Sequence, residues 1–414
     1  MAKIFPFNAY RYSEIAGPLV SLVTQPYDKI SPTMRKTYLA QSPYNLVRII
    51  LDEPVENDTV SNNVYTRPAK RLEEWIKGGV LVRDKEPSLF AYFQEFRVPD
   101  TGEYLTRKGF IALGQVEDYS SGVVYRHEQT HSGPKKDRLE LLRHTGAHPE
   151  LLFLLYPDPA GEIDRILDQA AQAAPDCQVA DEYGAEHRLW RISDPAVVSR
   201  IQGLMSDKKL VIADGHHRYE TALAYRNENP KSVDASRVVM TLVNMHSPGL
   251  KILATHRLIS DLKNFDETAF IKRAEERFKV ERIDSTEKLT NRWKDTKAGE
   301  CVFGIAMAGG LYMFTAKQPG DQLDVAVLHR ELIGGVLGIS EDDVRDGKYL
   351  RYVRGLDLAV EEVNSGTAQI ACLLKPTSVQ QVADISFSGG VMPQKSTDFY
   401  PKLLSGLTIY KLER

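Results

Sequence analysis

Lys209-Leu210-Val211-Ile212-Ala213-Asp214-Gly215-His216-His217-Arg218 is the stretch that decides how this chain is organised. Leu210 to Ala213 is a short apolar run of the kind that forms a buried strand, and it runs straight into Asp-Gly. Arg218 to Asn227 then carries apolar positions at Tyr219, Ala222 and Leu223, the spacing of a helix. Asp214 is a natural N-cap for that helix, and Gly215 permits a tight turn and close approach of a ligand. A helix start presents free N–H groups and a partial positive charge, which suits a phosphate. Arg218 adds a permanent, fork-shaped cation. His216 and His217 bring titratable imidazoles next to the Asp214 carboxylate, so the three are candidates for proton transfer, and Asp214 also for holding magnesium. The plainer alternative is a capped helix with surface histidines.

Working outward, residues 150–260 alternate strands and helices, which predicts α/β order. The strands are Leu151 to Tyr156, Leu189 to Ile192, Leu210 to Ala213 and Val238 to Val243; the helices are Ile163 to Ala174 and Arg218 to Asn227. Before this, Asn45 to Leu51 reads as a strand and Ala69 to Lys77 as a helix stopped by Gly78-Gly79. Leu89 to Val98 and Arg107 to Val116 read as paired strands around the Asp100-Thr101-Gly102 turn. After residue 262 come a helix over Glu267 to Phe278, a hairpin of Val302–Met307 with Leu311–Thr315, a helix over Leu323 to Leu337, and a loop over Gly389 to Leu407. The expectation is a mixed α/β, multi-domain protein with boundaries at 1–150, 151–261 and 262–414. Its nucleotide site is of strand-turn-helix type.

The 414 residues are 42% hydrophobic and 26% charged, enough apolar material for real cores and against disorder. The formal net charge of −3 gives no global basic field, which argues against nucleic acid as a partner. Cys177, Cys301 and Cys372 are far apart and form no C-x-x-C pair, so neither a disulfide framework nor a cysteine zinc site is expected. The start lacks the apolar core of a signal peptide, and no apolar run approaches a membrane span. A cytoplasmic location is the expectation.

His127-Glu128-Gln129-Thr130-His131 spells H-E-x-x-H, the zinc-protease pattern, which requires both histidines on one helix. The context does not supply that helix: Val123-Val124-Tyr125 favours a strand and Ser132-Gly133-Pro134 follows at once. Glu150 can be imagined as a third ligand, but nothing in the sequence positions it. Gly133-Pro134 reads instead as the start of a separate helix, with Lys135, Lys136 and Arg138 in its first turns. Cations there oppose the helix dipole, so binding an anion such as a nucleotide phosphate gives them a purpose. A solvated basic turn is the alternative. Glu128 is the candidate carboxylate to orient an attacking hydroxyl, and His127 a candidate substrate contact. Lys395-Ser396-Thr397, in a Gly/Pro-bounded loop, is a candidate to close over a phosphate, although the Walker A spacing is absent. Asp28, in the turn Pro26-Tyr27-Asp28, and Arg48 are candidate substrate contacts. His256-Arg257 is assigned a packing role.

Asp214-Gly215-His216-His217-Arg218 resembles the signature of the ParB and sulfiredoxin superfamily. Gly215, Arg218 and Thr221 fall on the G-x-x-R-x-x-A positions of ParB proteins, with threonine in place of alanine. His216 stands where sulfiredoxins carry their cysteine, which removes sulfiredoxin chemistry. The resemblance implies nucleotide phosphate binding at the turn and helix start, by Gly215, Arg218 and Thr221. Free-serine kinases of this superfamily carry the same Asp-Gly-His-His-Arg run and phosphorylate serine with ADP or ATP and magnesium. The whole chain, from near residue 4 to the C-terminus, also resembles the family numbered 1015 among domains of unknown function. That likeness rests on Pro26-Tyr27-Asp28, Asn45 to Arg48, His127 to Thr130, Gly133 to Arg138, Ala213 to Tyr219 and Met392 to Thr397.

These readings predict a nucleotide-dependent kinase, with ATP or ADP and magnesium as cofactors and free serine or a similar hydroxyl metabolite as acceptor. Two other classes stay open: a ParB-like nucleotide switch, and a phosphoester hydrolase or nuclease that uses the same histidines and carboxylates on water.

Overall fold

The computed structural model describes residues 1–128, 132–297, 299–318 and 323–413, with the side chains of 132–134 left aside. The fold is mixed α/β. It divides into two compact units: residues 1–98, 103–250 and 401–414 form the first, and residues 99–102 and 251–400 the second. The chain passes from the first unit to the second after Leu250, where the sequence reading sets a boundary at 261. The boundary expected at 150 falls inside the first unit, whose central sheet is built from strands on both sides of it.

That sheet has nine strands: β1 Ile4–Phe5, β2 Leu89–Arg97, β3 Tyr104–Gln115, β4 Val124–Tyr125, β5 Leu152–Tyr156, β6 Cys177–Ala180, β7 Glu186–Ile192, β8 Leu210–Asp214 and β9 Arg237–Asn244. They lie in the order β4-β8-β5-β9-β3-β2-β7-β6, with β1 also paired to β3. Only β8 with β4 and β9 with β5 are parallel. The long hairpin β2–β3 is therefore continuous with the strand-helix alternation that follows it. β5 is buried at all five residues, as a central strand covered on both faces must be. The apolar faces of β5, β8 and β9 pack with Ile163, Ile166 and Leu167 of the helix Glu162–Ala170, Ile201 and Met205 of the helix Pro195–Met205, and Tyr219 and Ala222 of the helix His216–Glu228. The second unit is an antiparallel six-stranded sheet that includes the hairpin Val302–Met307 with Gly310–Ala316.

Asn45 to Leu51 is not a strand. Val47–Ile50 is a helical turn, started by the Asn45 Oδ1, which accepts from the Val47 N–H at 2.9 Å. Leu46, Val47, Ile49 and Ile50 are all buried, spaced as a helical stripe, while Arg48 turns away from them. The expected helix over Glu267 to Phe278 ends at Ala274, and Phe278 begins a strand. Within the expected loop over Gly389 to Leu407, Phe399–Tyr400 pairs with Lys251–Ile252.

Candidate functional site

β8 has a register shift between Ile212 and Asp214, and Asp214, still paired with Phe153, is its last residue. Gly215, not Asp214, then occupies the N-cap position of the helix His216–Glu228, with φ 96°. Asp214 instead braces the turn, its Oδ1 accepting from the Gly215 N–H at 2.9 Å. A Cβ on Gly215 would lie 2.9 Å from Leu152 and 3.1 Å from the Arg218 guanidinium, so backbone conformation and space both demand glycine. Tyr219 anchors the helix below, its hydroxyl bridging the main chain of Glu117 at 2.7 and 2.9 Å.

Charged groups from five places in the chain meet at this turn. Arg218 donates to the Leu151 carbonyl at 2.6 Å and lies 3.9 Å from Asp214. Lys402, from the C-terminal segment, is 3.6 Å from the same carboxylate. Burial acts to raise Asp214, yet Lys402, Arg218 and Lys29 outweigh it and hold the carboxyl well below its usual range. Burial alone would lower Arg218; Glu150, Asp214 and Asp28 keep it raised. Glu150 is buried, accepts from the Tyr27 N–H at 3.0 Å, and stands 3.9 Å from Arg138. Its burial pushes the carboxyl up against the pull of Arg218 and Arg138. Arg138 lies over the Tyr27 ring at 4.3 Å and donates to the Ile50 carbonyl at 2.6 Å. Beside this cluster a cleft with about 420 Å³ of empty space, open water included, is lined by Arg138, His148, Glu150, Leu152, Arg218 and Thr221 among others. Thr221 is among the residues lining this cleft, and its buried Oγ1 has no hydrogen-bond partner among the described residues.

His216 and His127 meet edge to face, ring centroids 4.6 Å apart, with the His127 N–H directed at His216 Nε2 at 3.5 Å. Burial depresses both imidazoles, His127 to about 3 and His216 to about 4, so both are neutral near pH 7. Glu128 is half-buried, and its charge partly opposes the fall of His127. Gln129, Thr130 and His131 lie outside the described residues.

The structure thus gathers Asp28, His127, Glu128, Arg138, Asp214, Gly215, His216, His217, Arg218 and Thr221 in one region of the first unit. Lys135 is turned toward the helix His216–Glu228, where its Nζ meets Glu220 at 2.7 Å, and Lys136 is exposed. Arg48 donates to the carbonyls of Leu39 and Ser42 at 2.6 and 3.3 Å, closing the end of the helix Pro32–Gln41. Lys395, Ser396 and Thr397 belong to the second unit. There Ser396 Oγ donates to Pro393 at 2.5 Å, and Arg257 donates to the carbonyls of Gln394 and Lys395 at 3.2 and 3.1 Å. His256 accepts from the Leu374 N–H at 3.2 Å, in keeping with a packing role. Sequence reasoning missed Lys402 and left Glu150 without a position. Lys402 lies in a stretch read as loop, and only tertiary structure brings it to Asp214.

Asp214 does not make a protein-held magnesium site by itself. Its carboxylate is already countered by Arg218, Lys402 and Lys29, and among the described residues no group of three or more His, Cys, Asp or Glu side chains could hold a metal ion. Also among the described residues, no helix is long and apolar enough to cross a membrane.

Three solved structures illustrate the likeness. A free serine kinase in complex with AMP shares 13% identity at a TM-score of 0.39, covering 70% of this chain and 88% of that one. A conserved hypothetical protein from Pyrococcus furiosus shares 13% at 0.36, covering 69% and 91%. SbnI from Staphylococcus aureus, C-terminally truncated, shares 8% at 0.37, covering 71% and 85%. Scores at this level transfer neither a fold nor an activity. No curated protein matches the chain. Residues 4–332 match the family model described as protein of unknown function (DUF1015), short of the full length that the motifs suggested. Spanning well over half of the chain, that match makes this protein a member of the DUF1015 family.

Proposed function

We propose that the first unit binds a nucleotide through its phosphates at the Gly215 turn and transfers a phosphoryl group to a small hydroxyl metabolite such as free serine. One observation carries this reading. A helix start with a left-handed glycine has Arg218 and Lys402 beside it, both buried enough for their charge to act in a poorly screened environment. In phosphoryl transfer the protein chiefly positions the reactants and neutralises charge on the transferred group, which is what such cations do. The main-chain N–H groups of His216 and His217 would receive phosphate oxygens, and Arg218 a second pair. Glu128, next to the neutral His127–His216 pair, would orient the acceptor hydroxyl and take up its proton. The resemblance of Asp214 to Arg218 to the free-serine-kinase run supports serine as the first acceptor to try. No step is assigned to magnesium, because Asp214 is countered by Lys402 and Arg218.

The test is incubation with ATP or ADP, magnesium and serine, read by phosphoserine formation. Phosphate release without an acceptor would turn the reading into a hydrolase, and DNA-dependent CTP turnover into a switch. Arg218→Ala should abolish nucleotide binding with the fold retained by circular dichroism. Unchanged affinity in a calorimetric titration removes the site from the phosphate.

A further inference from the structure

We infer that Lys402 is a phosphate-binding residue of the Gly215 turn and that Gln94, Arg107, Tyr92 and His187 are positioning residues that hold it there. This rests on the nucleotide reading above.

Residues 401–404 carry no secondary structure that would fix them, yet three of their main-chain groups are gripped by buried side chains. The Pro401 carbonyl accepts from Arg107 at 2.6 Å and the Lys402 carbonyl from Gln94 Nε2 at 2.8 Å. The Leu404 N–H points to the Tyr92 hydroxyl at 3.4 Å. These side chains are tied to one another. Arg107 donates to Gln94 Oε1 through Nε at 3.0 Å and also through its terminal nitrogen. Gln94 Nε2 and the Tyr92 hydroxyl both meet His187 Nδ1, at 3.3 and 2.6 Å. His187 Nε2 faces Asp181 Oδ2 at 3.3 Å. The donor order assigns the tautomer: Nδ1 accepts from Tyr92 and Gln94, so Nε2 carries the hydrogen and donates a hydrogen bond to the Asp181 carboxylate.

Tyr92, Gln94 and Arg107 are each 1% exposed and His187 is 0%. Burying an arginine is costly, and burial draws Arg107 down to about 10 even with its guanidinium 4.6 Å above the Phe153 ring. Apolar packing would fasten a chain segment at lower cost but without fixing its main chain. What the polar chain fixes is the point from which the Lys402 side chain leaves. That side chain is 11% exposed and ends 3.6 Å from Asp214, at the start of the phosphate-binding helix. A lysine held there adds a point charge to the helix start and the Arg218 fork.

The experiment is a calorimetric titration of the full chain with ATP. Lys402→Met should weaken ATP by about tenfold or more, the worth of one charge-assisted contact, and Lys402→Arg should recover most of it. Gln94→Leu should weaken ATP less, and adding it to Lys402→Met should cost nothing further, because both act through one ammonium. Unchanged affinity for Lys402→Met, or losses that multiply in the double variant, overturn the inference. A second readout needs no nucleotide: acetylation of Lys402 by acetic anhydride, followed by mass spectrometry. Gln94→Leu should speed labelling several-fold by freeing the segment. Tyr92→Phe, which deletes a single hydroxyl, replaces it if Gln94→Leu does not fold. Equal labelling rates overturn the positioning role. A wild-type chain that binds no ATP overturns the nucleotide reading and the phosphate role of Lys402 together, and the labelling still decides the positioning.

Discussion

The Gly215 turn of the first unit and the Gln394–Thr397 loop of the second both put cations beside small polar residues, and both read in the sequence as phosphate contacts. Their charges are used differently. In the first unit Arg218 spends one bond on a carbonyl and faces the carboxylates Asp214 and Glu150, and Lys402 also faces Asp214. In the second, Arg257 is 1% exposed and donates to the carbonyls of Thr255, Gln394 and Lys395, with Nε toward His329 at 3.4 Å. A guanidinium committed to main-chain carbonyls is a strut. Arg218 instead gives one nitrogen to a carbonyl and turns another toward the Asp214 carboxylate at a helix start, where a bound anion could compete for it.

The comparison breaks most readily at Arg257. Arg257→Met leaves three carbonyls without their donor inside the second unit. It should cost about 3–5 kcal/mol of stability, from about 1–3 kcal/mol per orphaned buried group with partial relaxation. Denaturant unfolding followed by a probe in the second unit measures this. ATP affinity at the Gly215 turn should be unchanged, and a loss of affinity without unfolding would show that the strut also serves the phosphate.

Gly215→Ala tests the other side. Its φ of 96° and a Cβ 2.9 Å from Leu152 should together cost about 2–3 kcal/mol, read as a lower Tm. ATP affinity should fall as well, because the methyl group also crowds Arg218. A variant of wild-type stability and affinity would mean that the turn has room to spare and that its glycine is not there for a ligand.

His216→Gln sharpens the contrast through pH. The folded-state value of about 4 lies below the ordinary 6.5 of an unfolded histidine, so the unfolded chain binds more protons between them. The stability due to neutral, buried His216 is therefore complete above pH 6.5 and drains away as pH falls toward 4. By pH 5 the loss is about 2 kcal/mol. The variant should lose about 2 kcal/mol less than wild type between pH 7 and 5. An identical slope would mean that His216 is already solvated.

What was legible in the sequence follows the range of the interactions involved. Leu210 to Asn227 was readable because strand, glycine turn and helix are all local. Asn45 to Leu51 misled because seven apolar-rich residues satisfy a strand and a helix equally until Asn45 starts the helical turn. Glu150 acquires a role only when the Tyr27 N–H and two arginines close around it, and its sequence neighbours announce none of them. Lys402 is 188 residues from Asp214 by numbering and is aimed by Gln94 and Arg107 from a different hairpin. Asp214 was readable as belonging to the turn, but the helix starts one residue later than expected, with Gly215 at the N-cap and Asp214 bracing it.

The smallest expected effect is at Lys395. Its φ of 55° is left-handed, and alanine in its place keeps a Cβ there, so the strain is the same before and after. The carbonyl that Arg257 holds belongs to the main chain and survives the substitution. Lys395→Ala should therefore change stability by no more than about 0.5 kcal/mol and leave ATP affinity where it was. The two loops would then differ as their hydrogen bonds say, one built to be held and the other to hold. A fall in ATP affinity of about tenfold, the size expected of a lost phosphate contact, would restore Lys395 to the binding site and remove the distinction between the two units.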